Sequence, residues 1–423
     1  MSSGNKLLHL PEKYDLVVGD TFELFYKGIM LCKNPYTYNI LVNCGIGKAW
    51  GRKFEVTPTA EGTYPLTITL GDDYGNVIET AGTTLVVKAK KTSTEKEVNV
   101  LCVGDSLTCG GIWVDEVCRR LTKTTDKTAF NHSAPMGEGL SGIRFIGKQT
   151  TSAGAGFEGF GGWKFANYLS CETTSSNYWL TCCHEKTDND QESIYKDENG
   201  VEWQLETVEN DRLKFKKHLG SGTMLACGTL SWVSGGVDTS DITYTKATLE
   251  AGNPFVYDGK IDFASYCRDV GASGIDVCYI LLGWNDAASD KVVYKNQAKQ
   301  FIELLLEFNP SMKIVLMGLE IPSLDGCANN YGASGIYSQW RTLQEYVFNL
   351  DKRYAEIAGE YENVSAINIS GQFDTEYSMQ TVTVKANSRS EADVTVQSNG
   401  VHPSVFGYYQ IADAVYRHFN NNI

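Results

Sequence analysis

Three short clusters in this chain of 423 residues bring together residue types that nucleophilic chemistry needs. The first, Gly104-Asp105-Ser106-Leu107-Thr108, directly follows the apolar run of Val98, Val100, Leu101, Cys102 and Val103. A continuous apolar run reads as a strand buried on both faces. Ser106 therefore falls at the carboxyl end of such a strand, the rim where open α/β sheets bind ligands. A helix starting there would turn backbone N–H groups and the positive end of its dipole toward the serine's surroundings, which suits an oxyanion. The second cluster, Gly283-Trp284-Asn285-Asp286, stands in the same relation to the apolar run Val277–Leu282, and the Asn285 amide can donate to developing negative charge. The third, Asn399-Gly400-Val401-His402-Pro403, precedes the last helical segment. Among six histidines, His9 lies in the leader, His132 in a loop, His184 and His218 in a β-rich stretch, and His418 near the chain end. Only His402 joins a turn to a helix within an α/β pattern, which makes it the general-base candidate.

Other matches carry less. Gly154-Ala155-Gly156-Phe157-Glu158-Gly159 satisfies G-x-G-x-x-G, but the polar segment Gln149–Ser152 precedes it and no helical pattern follows. The stretch from Gly142 to Gly147-Lys148 nearly spells a phosphate loop. Its spacers Ile-Arg-Phe-Ile read as a strand, however, and Gln149 stands where Ser or Thr is required. Neither is expected to bind nucleotide. The twelve cysteines include no C-x-x-C, and Cys182-Cys183-His184 is too tight for a zinc knuckle. Cys102 and Cys278 sit inside apolar runs as small core hydrophobes, and reduced thiols are the expectation.

The elements that must position these clusters change character along the chain. Residues 1–90 read as all-β: Tyr64, Leu66, Ile68 and Leu70 alternate with Pro65, Thr67 and Thr69, and the proline suggests an edge strand. The turn cluster Asp72–Asn76 and further short strands suggest a small β-sandwich. Residues 91–97 have linker composition. From Val98 onward strands alternate with helices: helix over 111–121, strand over 277–282, helix over 296–308, strand over 313–319, helix over 338–358, strand over 364–367 and helix over 406–419. That alternation implies a parallel sheet with helices on both faces. Between about 177 and 249, alternating runs separated by Asn199-Gly200 and Asn210-Asp211 read as hairpins in a β-rich insertion. The β region and the insertion are expected to place substrate rather than to do chemistry.

With these blocks in this order, the segment from Val98 to the C-terminus, minus the insertion, resembles the SGNH (GDSL-type) hydrolases, a family of serine esterases. The resemblance implies a three-layer α/β/α fold with a parallel, flavodoxin-like sheet in residues 98–423. It implies Ser106 as nucleophile and His402 as base, with an oxyanion hole formed by the Ser106 N–H, a glycine N–H and the Asn285 side chain. Glu158-Gly159-Phe160-Gly161-Gly162-Trp163 resembles the E-G-x-x-G-W block of many bacterial members, which makes Gly162 that glycine and Gly161 its competitor. The absence of any G-x-S-x-G argues against an ordinary α/β-hydrolase. One departure stands out: where the family carries the Asp of D-x-x-H, this chain has Asn399. Three readings stay open. His402 is oriented by a backbone carbonyl or by the Asn399 oxygen; or another carboxylate, such as Asp393 or Asp374, folds against it; or the site is catalytically feeble. If Asn399 faces the ring, Asn399→Asp should raise turnover. The expected substrate is an acylated small molecule or polysaccharide, with O-acetyl on a carbohydrate favoured by the bacterial branch and by Trp163 and Trp284, read either as sugar-stacking surfaces or, equally, as buried core side chains. No metal or cofactor is implied. The rival is a glycan-binding surface or phage-tail module with a vestigial site.

Composition agrees with a folded chain. Hydrophobic residues make up 42% and charged residues 21%, and the net charge is −14 without blocks of like sign. A nucleic-acid binder would need a basic stripe, and none is visible. No apolar run reaches membrane-spanning length. Met1–Tyr14 has no continuous apolar stretch and does not read as a secretory leader.

Overall fold

The computed structural model describes residues 6–94, 96–125, 135–171, 177–182, 186–209, 212–221, 224–225, 227–249, 252–287, 291–331 and 336–423. His132, Cys183, His184 and the turn Asn210-Asp211 lie outside the described residues. The chain is a mixed α/β protein with several separate sheets. It divides into two compact units, Met1–Tyr168 with Cys267–Ile423, and Leu169–Tyr266.

In the first unit, one sheet carries the buried runs. Its strands are β1 (Val98–Gly104), β2 (Ile143–Ile146), β3 (Gly156–Gly159), β4 (Val277–Leu281), β5 (Lys313–Met317) and β6 (Val364–Ile367). Every residue of β1 and β4 is buried, which is why, Asn99 apart, these strands read as apolar runs rather than as alternation. β4 pairs in parallel with β1 and β5, and β5 with β6. On the other side of β1, β2 runs parallel along its first half (Val98 opposite Ile143) and β3 along its end (Gly104 opposite Gly159). The pair Gln149–Thr150 adds antiparallel to β3. The chain thus leaves β1 toward one edge and returns at β4 on the other side. Such a reversal opens a crevice at the carboxyl ends of the two strands. The two phosphate-loop look-alikes are absorbed here: Ile143–Ile146 is strand β2, and the tail of the G-x-G-x-x-G match is strand β3.

Helices follow the strands: α1 (Ser106–Cys109), α2 (Ile112–Thr122), α3 (Lys291–Phe308), α4 (Ile336–Ala358) and α5 (Val405–Asn422). α3 starts five residues before the sequence expectation of 296. Tyr294 is buried with Ala298, Phe301, Ile302 and Leu305, so the apolar face extends a further turn. Among the described residues, no helix is long and apolar enough to cross a membrane. Ten cysteines among the described residues are free thiols.

The N-terminal residues form two sheets over one core. Lys13–Val17, Val77–Lys88, Gly62–Gly71 and Asn39–Cys44 make the first, and Phe22–Phe25, Lys53–Val56 and Lys48–Ala49 the second. Leu16, Phe22, Leu24, Phe54, Leu66, Ile68 and Leu85 are buried in the same cluster. The strand holding Pro65 is not an edge strand, since it lies between two neighbours. Its partner Asn39–Cys44 stops opposite Leu66, so Pro65 sits one residue past the ladder, where its missing N–H costs nothing. These sheets belong to the same compact unit as the α/β sheet. A buried ion cluster joins them: Asp20 accepts from Arg120 Nη2 and from Arg417 Nε, both at 2.6 Å. Burial alone would raise the Asp20 carboxyl; the two guanidinium groups hold it below the ordinary carboxylate value.

In the second unit, the insertion's strands close into an antiparallel barrel in the order Asn177–Cys182, Arg212–Leu219, Glu202–Glu209, Ile194–Lys196, Gly228–Ser234 and Ile242–Leu249. Its interior holds Leu180, Tyr195, Trp203, Leu205, Phe215 and Leu230. Asp197 fixes the Asn199-Gly200 turn by accepting from the Asn199 and Val201 N–H groups, and its other oxygen takes the Trp203 indole N–H at 2.8 Å.

Removing Asp20 leaves two buried guanidinium groups short of an acceptor. Asp20→Ala is expected to lower stability by about 3–5 kcal/mol, measured as a shift of the urea midpoint. A loss below about 1 kcal/mol would mean that water reaches the cluster.

Candidate active site

Ser106 opens α1 immediately beyond β1. Asp105 caps this turn: its Oδ1 accepts from the Leu107 N–H at 3.0 Å, and its carbonyl accepts from the Thr108 and Cys109 N–H groups. The turn is tight enough to need glycine before it. A Cβ on Gly104 would stand 2.0 Å from Thr108 Oγ1 and 2.7 Å from the Leu281 carbonyl oxygen. Ser106 is left partly exposed, with its Oγ 2.9 Å from His402 Nε2. A hydroxyl so placed can pass its proton to a neutral ring and attack an electrophilic carbon.

His402 is half-buried, and burial alone sets its pKa below the ordinary 6.5. No hydrogen bond reaches its Nδ1 among the described residues. Asn399 does not fill that place. Its Oδ1 accepts from the Val401 and His402 backbone N–H groups, both at 2.9 Å, and its Nδ2 donates to Gln380 Oε1 at 3.5 Å. The side chain shapes the turn that carries the ring rather than holding the ring, so the condition under which Asn399→Asp would raise turnover is not met. The alternative carboxylates are engaged elsewhere. Asp374 pairs with Arg52 at 2.6 Å, and Asp393 pairs with Lys385 at 2.9 Å on an exposed hairpin.

The Asn285 amide ties the remaining blocks together. Its Nδ2 donates to the Trp163 carbonyl at 3.0 Å and to Asp105 Oδ2 at 3.3 Å. Gly161 and Gly162 lie in the turn before Trp163, which is closed by the Trp163 N–H on the Phe160 carbonyl and anchored to β1 by the Phe160 N–H on the Gly104 carbonyl. Gly162 has φ of +78°, in the left-handed region. Among the described residues, the N–H groups of Ser106, Gly161 and Gly162 have no acceptor within the chain, so each is available to an incoming oxygen.

The two tryptophans differ. Trp284 is buried, with its indole N–H on Glu320 Oε1 at 3.0 Å, and offers no stacking surface. Trp163 is partly buried and stacks on Phe160, with ring centroids 4.2 Å apart.

Sequence reasoning missed the groups that hold the Asn285 turn from below. Gly283 has φ of +132°, and a Cβ there would meet Leu350 Cδ2 at 2.9 Å. The Tyr346 hydroxyl donates to the Gly283 carbonyl at 2.6 Å and the Tyr354 hydroxyl to the Leu282 carbonyl at 2.8 Å. Tyr346, Leu350 and Tyr354 fall at i, i+4 and i+8 of α4, so one helix face lines the turn. That spacing was the available signal. Around them, burial pushes the carboxyls of Asp105 up to about 7, Asp286 to about 6 and Glu320 to about 8. Burial disfavours the ionised form of each, and at Asp286 it outweighs the nearby Lys164 charge. Among the described residues, no group of three or more His, Cys, Asp or Glu side chains could hold a metal ion.

No protein-family profile matches this sequence, and no curated protein matches it. Solved structures similar to it include carbohydrate esterases. A family 3 carbohydrate esterase from Clostridium thermocellum is 14% identical over 76% of this chain and 94% of that one, with a TM-score of 0.34. A family 3 carbohydrate esterase from Talaromyces cellulolyticus is 10% identical over 76% and 96%, at 0.31. A family two carbohydrate esterase from Cellvibrio japonicus is 11% identical over 94% and 84%, at 0.27. At such scores none of these likenesses bears on the chemistry, which rests on the side chains above.

With only burial acting on it, His402 is expected to titrate below pH 6.5 in a two-dimensional NMR titration. A midpoint above 6.5 would reveal a carboxylate against Nδ1. His418, fully buried between Tyr279 and Ser365 and lowered to about 4, provides the internal contrast.

Proposed function

We propose that this chain is a serine esterase of the SGNH type, with the three-layer α/β/α arrangement of that family. It removes a short acyl group, O-acetyl on a carbohydrate, through an acyl-serine intermediate. The observation that carries the reading is the 2.9 Å contact between Ser106 Oγ and His402 Nε2 at the crevice of the sheet. The carbohydrate ester follows from the motif resemblance to bacterial carbohydrate-esterase members.

In this reading His402 takes the Ser106 proton as Oγ attacks the ester carbonyl carbon. The oxyanion is received by the N–H groups of Ser106 and Gly162 and by the Asn285 amide, whose longer 3.3 Å bond to Asp105 is the one to yield. The tetrahedral intermediate collapses, the C–O bond to the alcohol breaks, and the imidazolium protonates the leaving oxygen. Water then repeats the sequence on the acyl-serine, with His402 again as base. The pair acts as a dyad, because no carboxylate among the described residues meets the ring to stabilise imidazolium. In a serine protease, exchanging that carboxylate for an amide costs ~10⁴ in turnover, so a modest kcat is expected here. That Nδ1 has no partner among the described residues is also what favours the second reading, a glycan-binding module with a feeble site.

Hydrolysis of a chromogenic acetyl ester separates the two. Ser106→Ala is expected to lower kcat by at least ~10³; equal rates in both proteins would leave only the binding module. Asn285→Ala should lower kcat by ~10²–10³ with little change in KM, whereas a pure KM effect would make Asn285 a substrate ligand. The base must be neutral, and its pKa lies below the ordinary value, so kcat/KM should hold as pH falls and reach half its plateau only below pH 6.5.

A further inference from the structure

We propose that Arg52, in the N-terminal β region, is a positioning residue for His402, so that this region takes part in catalysis rather than only placing substrate. The inference rests on the esterase reading above. Since His402 Nδ1 has no partner among the described residues, the ring's aim depends on the backbone segment that bears it. That segment is laced to residues 375–380. Gln397 Nε2 donates to the carbonyls of Thr375 and Glu376, both at 2.6 Å. The Ser398 N–H donates to the Gln380 carbonyl at 2.8 Å, and the Ser404 N–H and Oγ both donate to the Ser378 carbonyl at 2.9 Å. Met379 and Pro403 form an antiparallel bridge. Residues on both sides of His402 are therefore carried by the 375–380 segment.

That segment is fixed at its start by Arg52. The guanidinium donates through Nη2 to Asp374 Oδ1 at 2.6 Å and through Nε to Glu376 Oε2 at 2.5 Å, and stacks 4.5 Å from the Tyr377 ring centroid. Asp374 Oδ1 also accepts from the Glu376 and Tyr377 N–H groups, so the arginine grips the turn itself rather than a loose side chain. Lys27 and Tyr36, also N-terminal, add to Glu376 at 3.5 and 3.1 Å. A planar fork held by two carboxylates is a stiff joint that lysine cannot reproduce. A displacement of about 1 Å at a catalytic group can cost ~10² in rate.

The full chain is tested with a chromogenic acetyl ester, counting active sites with a fluorophosphonate probe. Arg52→Gln should lower kcat per active site by about tenfold or more with KM within about twofold, and Arg52→Lys should recover part of the loss. Lys48→Ala, in the same hairpin over Trp50, should leave kcat unchanged. Hydrogen exchange followed by mass spectrometry gives a readout independent of turnover. Amides of 398–404 should exchange about tenfold faster in Arg52→Gln, while those of β4 keep their rates. Unchanged kcat per active site, or unchanged exchange over 398–404, overturns the proposal. If Ser106→Ala cleaves the ester as fast as the parent, the esterase reading fails instead, and exchange alone decides Arg52. Should Arg52→Gln not fold, Glu376→Gln, which keeps the shape and removes one charge, is read by the same criteria.

Discussion

The hydrogen bond between Ser106 Oγ and His402 Nε2 joins residues 296 positions apart in the chain, and most of the surrounding structure bears on keeping it at 2.9 Å. A serine hydroxyl reacts only when a base takes its proton in a fixed geometry. On the serine side that geometry is local: β1 ends, Gly104 admits the close turn, Asp105 caps it, and the hydroxyl is delivered to the crevice. On the histidine side nothing in the described structure holds the far ring nitrogen. Orientation is transferred to the backbone, through Asn399 on the N–H groups of Val401 and His402 and through the bonds from 397–404 to 375–380. A side-chain carboxylate would have supplied orientation and charge together. Here the orientation is kept, and no described residue supplies the charge.

The crevice also needs polar groups in an apolar setting, and the protein handles them in two ways. Where a carbonyl must stay exposed inside the core, a tyrosine hydroxyl meets it, as Tyr346 and Tyr354 do for Gly283 and Leu282. Where a carboxyl is buried without a cation, burial lifts its pKa to neutrality or above, as with Asp105 and Glu320, and at Asp286 burial outweighs the nearby Lys164 charge. Asp20 shows the opposite solution. It keeps its charge because two guanidinium groups, one on α2 and one on α5, are brought to it. The choice between neutral acid and ion pair follows from which side chains the fold can deliver.

How much of this could be read beforehand depended on how local the signal was. β1 and β4 were legible because a strand buried on both faces has no alternation to disguise it, and the clusters after them mark strand ends. The position of His402, between a turn and the last helix, was legible, though its role as base awaits experiment. Pro65 misled, because a proline at the end of a ladder looks in sequence like a proline on an edge. Asn399 showed the departure but not its consequence: whether an amide faces a ring or the backbone is a matter of rotamer. Arg52 carried no signal at all, since Asp374 lies 322 residues away and no period connects them. The closure of the inserted strands into a barrel likewise depends on pairings that hairpin signals do not specify.

The central claim is that Ser106 forms a covalent bond to the acyl group with His402 as its base. Rapid-quench peptide mapping during turnover of an acetyl ester tests it most directly. The account predicts one acetyl group on the peptide containing Ser106 in the parent protein, and its disappearance in His402→Ala. An acetyl group on another residue, or turnover without any acylated peptide under conditions where deacylation is slowed, would contradict it.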